Sequence, residues 1–228
     1  MTGPQWEGAV NAHLLAGDIY RMGRSEWLTE RGWRELYSDG VRTVIDLRNS
    51  GERKHRPSDP VVSEAAKAGF NVVHSPTEDP EHPRYRDHFH PYMNHPRLYA
   101  DMLEMFPERV AAVFKELAAA KGKVVIHCSA GRDRTGLIAT LLLMLLGQAE
   151  LAVAEDERAT RGINEWHLVA PVKHPYERHL EAGELSAVVQ GRGQAVENFV
   201  EGVNVRAFLL ANGVTAVEIE AVIARSRR

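Results

Sequence analysis

Residues 123–136 read KVVIHCSAGRDRTG, and they are the most informative segment of the chain. Lys123 to His127 form a short apolar, β-branched run that is typical of a buried strand. Small residues and a glycine follow, and an apolar segment then runs from Thr135 to Leu146. The stretch therefore predicts a strand, a tight loop and a buried helix in immediate succession.

The loop carries a cysteine and an arginine that are separated by five residues, Cys128 and Arg134. A loop of this length between a strand and a helix can curl so that its backbone N–H groups surround an anion. The positive N-terminal end of the following helix strengthens such a site, and the arginine fork can bind two phosphate oxygens. The pattern predicts a phosphate-binding loop whose small or cationic members line the anion: Ser129, Ala130, Gly131 and Arg132.

Cys128 is the predicted nucleophile of this loop. A helix N-terminus and nearby cations can lower a cysteine pKa to roughly 3.5–7.5, and the thiolate is the reactive form. Thr135 is expected to hydrogen-bond the sulfur when it leaves, and His127 is expected to orient the loop backbone. Most lone cysteines are inert buried thiols. The combination with Arg134, Thr135 and the glycines argues against that interpretation.

The residues before the loop predict helices that alternate with strands. Thr29 is the expected N-cap of a helix over residues 29–38, and residues 41–47 (VRTVIDL) form a β-branched strand. A short helix over residues 60–68 and a strand over residues 70–74 follow. This order predicts an α/β fold with a central, mostly parallel sheet flanked by helices.

The rest of the chain extends this pattern, and 228 residues suit a single domain, residues 1–228. The further predictions are two short strands within 14–21, a helix over 98–120 broken near Pro107, a polar helix over 150–161, an irregular stretch over 164–179, and helices over 195–225 with a break at Asn212 and Gly213 before an N-cap at Thr215.

Residues 75–96 contain five prolines and no hydrophobic period. Long irregular loops in compact domains are often lids, so we expect a lid over residues 75–107. This segment contains four histidines, a residue type that often binds metal ions, but their spacing matches no recognised zinc pattern. A solvated or substrate-contacting lid is favoured over a metal site, and no cofactor is expected. The four are His82, His88, His90 and His95.

The bulk composition narrows the range of partners. A net charge of −3 without a polybasic segment gives no reason to expect nucleic acid or a membrane surface. The most apolar stretch, residues 137–146, is far shorter than the roughly 20 residues of a membrane-spanning helix. One cysteine excludes an intrachain disulfide, and no signal-peptide pattern begins the chain, so the cytoplasm is the expected location. Secretion without a signal and the oligomeric state stay open.

The segment HCSAGRDRTG (127–136) resembles the loop of the atypical bacterial tyrosine-phosphatase and phosphoinositide-phosphatase family, which reads HCxAGKDRTG. Similar segments are LAGDIYR (15–21) and GVRTVIDLR (40–48) followed by Glu52. The resemblance implies a tyrosine-phosphatase-like fold and a cysteine-dependent phosphatase that forms a phosphocysteine. A phosphotyrosine protein is the expected substrate, and a phosphoinositide is the alternative. Arg132 replaces the family's usual lysine, which is associated with activity on phosphoinositides. Arginine keeps the positive charge, but its guanidinium is bulkier and presents its hydrogen-bond donors in a different geometry.

The leaving group of such a reaction needs a proton, and the chain has no Trp-Pro-Asp motif to supply it. The resemblance implies Asp133, inside the loop, as the general acid. A structural role for Asp133 is the alternative, with Asp79 in the lid as the acid. Asp46 and Arg48 stand at a strand end, and we interpret them as supports of the loop or as a simple ion pair.

Two other function classes compete with the phosphatase. A non-catalytic module that binds phosphoproteins needs no nucleophile, so the intact Cys128, Asp133, Arg134 and Thr135 argue against it. A sulfur carrier is the third possibility, and the second arginine of the loop and Thr135 fit phosphate better.

Overall fold

A five-stranded sheet forms the centre of the computed structural model, which describes residues 3–89 and 92–227. The spatial order of its strands is β1-β2-β5-β3-β4. β1 and β2 pair antiparallel, and the other pairings are parallel. The predicted α/β fold with a mostly parallel sheet is confirmed. The strands are β1 (His13–Ala16), β2 (Ile19–Met22), β3 (Val41–Asp46), β4 (Asn71–His74) and β5 (Lys123–His127).

The central strand β5 lies between β2 and β3, and its side chains alternate between two apolar layers. Val124 and Ile126 belong to one buried cluster, and Val125 belongs to the other. Because β2, β3 and β5 run parallel, their carboxyl ends meet at one edge of the sheet. His127 pairs there with Met22 on one side and Asp46 on the other, so the loop after β5 starts in the middle of this edge.

Helices cover both faces of the sheet, with α1 packed against β3 on one face and α5, α6 and α10 on the other. None of the helices in the described ranges is long and apolar enough to cross a membrane. The helices are α1 (Glu30–Ser38), α2 (Glu64–Lys67), α3 (Tyr85–His88), α4 (Tyr99–Met105), α5 (Pro107–Ala119), α6 (Asp133–Leu145), α7 (Ala152–Val169), α8 (Ala182–Gly202), α9 (Val205–Ala211) and α10 (Ala216–Ser226).

Several predicted helix ends are confirmed by their capping contacts. Thr29 caps α1 through its hydroxyl, which accepts from the Gly32 N–H at 3.1 Å. Pro107 begins α5 directly after the break at Phe106, as the predicted break requires. Thr215 caps α10 and forms a capping box with Glu218.

Other predicted boundaries are wrong. The irregular stretch predicted for residues 164–179 begins only after Val169, because α7 continues that far and Trp166 packs on Trp27. Helix α8 begins at Ala182, well before residue 195, after a capping box between Glu181 and Glu184. The helix predicted over residues 60–68 is confined to the single turn α2.

The segment predicted as a lid, residues 75–107, contains helical turns and buried core residues, although its prolines suggested an irregular loop. Its described part holds α3, a short 3-10 helix (Pro96–Leu98) and α4. Tyr85, Phe89 and Met93 are buried in the main core together with Phe106. His90 lies outside the described residues. The segment therefore packs as part of the core, and its motion as a lid stays a prediction.

Candidate active site

The loop after β5 opens into a cavity of about 720 Å³. Cys128, the first residue of the loop, is 2% exposed and lines this cavity. Ser129, Ala130 and Arg134 line it as well. The cysteine and the arginine that the sequence analysis paired thus face one enclosed space at the N-terminal end of α6.

The loop conformation requires a glycine at position 131. Gly131 has a φ of +69°, and a Cβ atom there would lie 2.3 Å from the Met22 carbonyl oxygen. The fully buried Arg21 donates from Nη2 to the Gly131 carbonyl oxygen at 2.7 Å, and the Arg24 N–H donates to the Ser129 carbonyl oxygen at 2.8 Å. These partners lie outside the cavity, so the loop carbonyls are held away from an anion within it.

His127 lies behind the loop and is fully buried. Its Nδ1 is 3.1 Å from the Cys128 carbonyl oxygen. Burial lowers the pKa of His127 despite the charge of Asp46, which favours the neutral ring. A neutral imidazole with its proton on Nδ1 donates to that carbonyl, so the ring contacts the loop backbone as the sequence analysis expected.

Asp46 and Arg48 form a buried ion pair beside His127. The Arg48 guanidinium donates to both Asp46 oxygens, at 2.9 and 2.8 Å, and to Glu26 at 2.9 Å. Burial raises the pKa of Asp46, but the bonds from Arg48 outweigh it and hold the pKa below its usual range. Neither residue lines the cavity of Cys128. The pair lies behind the loop, where it can support it without contacting a substrate.

Two glutamates hold the guanidinium of Arg134 inside the cavity. Glu52 accepts with both oxygens, at 2.6 Å from Nη1 and 2.7 Å from Nη2. Glu78 accepts from Nη1 at 3.0 Å. Burial opposes the charge on Arg134, but Glu78, Glu52 and Cys128 raise its pKa further above its usual value. Sequence reasoning missed Glu78, because only the fold brings this side chain from the 75–107 segment to the loop.

Asp133 is enclosed by two arginines. Its Oδ2 accepts from Arg132 Nε at 3.0 Å, and its Oδ1 accepts from Arg192 Nη2 at 3.0 Å. Arg132 also donates to both oxygens of Glu177, each at 3.0 Å. Arg132 does not line the cavity that Asp133 and Glu177 line, and its predicted contact with the phosphate stays a prediction. Arg192 of α8 lies before residue 195, where the predicted helices began, and no sequence signal marked it.

Thr135 is fully buried in the first turn of α6, and its hydroxyl oxygen has no hydrogen-bond partner among the described residues. Its predicted bond to the cysteine sulfur stays a prediction. Asp79, the alternative acid, is bound to Arg109 of α5 at 2.7 Å and does not line the cavity. Within residues 3–89 and 92–227, no group of three or more histidine, cysteine or acidic residues is placed to hold a metal ion.

Four aromatic side chains line the same cavity. Trp27 and Trp166 pack with ring centroids 4.3 Å apart, and both line the cavity. Tyr85 and Tyr92 line it from the 75–107 segment. The cavity thus combines the loop and Arg134 with aromatic surface.

The chain matches one family model over nearly its whole length. The model is that of the "Tyrosine phosphatase family", and it matches residues 6–225. A protein of Cupriavidus necator that is named as a tyrosine-protein phosphatase is 31% identical over 155 residues, which cover 63% of this chain and 53% of the relative. The chain thus spans about half the length of this curated relative.

Two solved structures share low sequence identity with the chain. Pseudomonas aeruginosa TpbA, in complex with phosphotyrosine, is 16% identical with a TM-score of 0.45, and the match covers 92% of this chain and 99% of that one. The core catalytic domain of the PP-IP phosphatase SIW14 from Saccharomyces cerevisiae is 14% identical with a TM-score of 0.42, and the match covers 94% and 96%.

Proposed function

Because this chain belongs to the tyrosine phosphatase family, we propose that it hydrolyses phosphate monoesters with Cys128 as the nucleophile. The observation that carries the proposal is the position of Cys128 and Arg134 in one cavity at the N-terminal end of α6. The thiolate attacks phosphorus, an S–P bond forms, and the bond from phosphorus to the ester oxygen breaks. Water then attacks the phosphocysteine, the S–P bond breaks, and the thiolate and inorganic phosphate are released.

Arg134 would bind two oxygens of the phosphate. Its guanidinium also donates to Glu52 and Glu78, so the phosphate would compete with these carboxylates for it. A phosphate dianion carries more charge than either carboxylate and offers the same planar pair of acceptor oxygens. The loop backbone and the end of α6 would bind the remaining oxygens and stabilise the charge that develops in the transition state.

The aromatic lining of the cavity supports phosphotyrosine as the substrate class. Trp27 and Trp166 offer apolar aromatic surface in the cavity that Cys128 lines, and the phenyl ring of a phosphotyrosine would pack against it. Aromatic pairs contribute roughly 0.5–1.5 kcal/mol beyond the area that they bury. Phosphoinositide hydrolysis receives less support, because Arg132 is bound to Asp133 and Glu177 and does not line the cavity.

The test measures phosphate release from a phosphotyrosine peptide, a phosphoserine peptide, a phosphoinositide and an aryl phosphate. Cys128→Ser is the blank, and it changes one atom of the nucleophile. We expect release that disappears in Cys128→Ser and is fastest with the phosphotyrosine peptide. Release that survives in Cys128→Ser would refute the nucleophile. No release from the folded, reduced protein would instead favour a binding module or a sulfur carrier.

A further inference from the structure

The two glutamates that share Arg134 differ in how they use it. Glu52 engages the guanidinium with both oxygens and also accepts from the Asn49 backbone N–H at 3.3 Å. Glu78 engages it with Oε1 alone. Its Oε2 is buried and has no hydrogen-bond partner within the described part of the chain. Both oxygens of Glu52 are thus paired, whereas Glu78, which also lines the cavity, has one oxygen that is not bound to Arg134 and lies near the Tyr85 side chain.

The surroundings push the pKa values of these two carboxyl groups in opposite directions. Burial raises the pKa of Glu78, which is 3% exposed, and the charge of Glu52 raises it further against the opposing effects of Arg134 and Tyr85. Burial also acts on Glu52, but the bonds and the charge of Arg134 outweigh it and hold that pKa below its usual range. Neighbouring carboxyl groups that are separated in this way are typical of an acid and an ionised partner.

Resting on the proposed function, we propose that Glu78 is the general acid that protonates the leaving oxygen. As the S–P bond forms and the P–O bond breaks, the proton passes from Glu78 Oε2 to the departing phenolate. The resulting carboxylate then takes a proton from the water that attacks the phosphocysteine, so the second step restores the acid. Atoms and charge balance over the two steps without a further reactant.

Asp133 is less suited to this role. Both of its oxygens already accept from guanidinium groups, those of Arg132 and Arg192. Neither oxygen is therefore free to face the leaving group, whereas Glu78 engages Arg134 with one oxygen only. Asp133 is a positioning residue that joins the start of α6 to α8.

Three neighbouring groups act on the pKa of Glu78. They are Arg134 at the start of α6, Glu52 in the 3-10 turn after β3 and Tyr85 in α3, and Cys128 lines the same cavity. Because catalysis needs the protonated form, kcat/KM should fall as the pH rises through the pKa of Glu78. The decisive variant is Glu78→Gln, which keeps the shape of the side chain and removes its proton.

The test compares aryl phosphates whose leaving groups differ in basicity. Glu78→Gln should lower kcat/KM by about 10²–10⁴-fold for phosphotyrosine and phenyl phosphate, whose leaving groups need the proton. It should change kcat/KM much less for 2,4-dinitrophenyl phosphate, whose leaving group departs unprotonated. The basic limb of the pH profile for phenyl phosphate should disappear. Retained hydrolysis of the dinitrophenyl ester by the same variant shows an intact site.

Matched variants separate the possible failures. Glu52→Gln removes the other partner of Arg134 and should lower kcat/KM equally for all esters, with the basic limb retained. A uniform loss with a retained limb in Glu78→Gln would overturn the proposal, and a leaving-group-dependent loss in Asp133→Asn would assign the acid to Asp133. If Glu78→Gln does not fold, Glu78→Asp is the second variant, because it keeps a carboxyl group on a side chain that is one methylene shorter. The basic limb of its pH profile should persist at a different pH, and a basic limb at the wild-type pH would overturn the assignment.

Failure of the proposed function would look different, since the wild-type protein would then release no phosphate from any ester.

Discussion

Arg192 Nη2 lies 3.0 Å from Asp133 Oδ1, which ties α8 to the first residue of α6 across 59 positions of sequence. The same guanidinium donates to both oxygens of Asp156 in α7, at 2.8 and 2.7 Å, and to the Asn94 carbonyl oxygen at 2.9 Å. Three helices and the 75–107 segment therefore meet at one buried side chain. The conformation of the loop between β5 and α6 therefore depends on residues far from it in sequence.

Removing this arginine should destabilise the whole fold. Arg192→Met leaves two buried carboxylates, Asp133 and Asp156, without their shared cation, and breaking a buried ion pair costs about 3–5 kcal/mol. We expect the free energy of unfolding in urea to fall by an amount of this order. Arg206→Met is the matched control, because Arg206 pairs with Glu220 on the surface. It should change the free energy by less than about 1 kcal/mol. Equal losses in the two variants would contradict the argument.

A methyl group at position 131 should disrupt the loop. Gly131→Ala places a Cβ atom 2.3 Å from the Met22 carbonyl oxygen at a positive φ, so β2 or the loop must shift. We expect a loss of more than about 1 kcal/mol in the free energy of unfolding and a large drop in kcat/KM. Gly191→Ala is the control, since no atom lies within 4 Å of the added Cβ in α8. That variant should be neutral or slightly stabilised, because alanine favours helices. An active, fully stable Gly131→Ala would refute the close approach.

Loss of one tryptophan should reduce the preference for aryl esters. Trp166→Ala removes half of the Trp27–Trp166 pair that lines the cavity. We expect KM for a phosphotyrosine peptide to rise by roughly tenfold, equivalent to about 1.4 kcal/mol, while KM for an alkyl phosphate changes little. Tyr37→Ala, on α1 and outside the cavity, should leave both values unchanged. A parallel rise for aryl and alkyl esters would mean that the tryptophans only shape the cavity.

Glu177 should make the fold sensitive to acid. Burial raises the pKa of Glu177, but the charge and hydrogen bonds of Arg132 outweigh it and lower the pKa to about 2. A depressed folded-state pKa contributes stability that is complete above the unfolded value near 4.5 and is lost as the pH falls towards 2. The contribution is about 3 kcal/mol.

Urea unfolding between pH 6 and pH 2 measures this contribution. Glu177→Gln should flatten the loss of stability between pH 4.5 and pH 2, and Glu201→Gln, at an exposed position of α8, should keep the wild-type slope. An unchanged slope in Glu177→Gln would show that the carboxylate is not paired with Arg132 in solution.

The local features of the chain were accessible without the structure. The β-branched run ending at His127, the spacing of Cys128 and Arg134, and the cap at Thr29 depend on residues close together in sequence. Backbone geometry and short-range hydrogen bonding control such features, so a single sequence is enough to predict them. The alternation of strands and helices predicted a mostly parallel sheet, because a helix between two strands favours a parallel connection between them.

The side chains that contact the loop between β5 and α6 come from distant segments of the chain. Arg21, Glu78 and Arg192 reach the loop or its arginines from β2, the 75–107 segment and α8. No local pattern marks a side chain whose role depends on contacts formed by distant segments. Residue types and spacing were enough to predict the loop between β5 and α6 and to pair Cys128 with Arg134. Only the packing of distant elements determined which carboxylates surround Arg134, because burial and neighbouring charges arise when these elements come together.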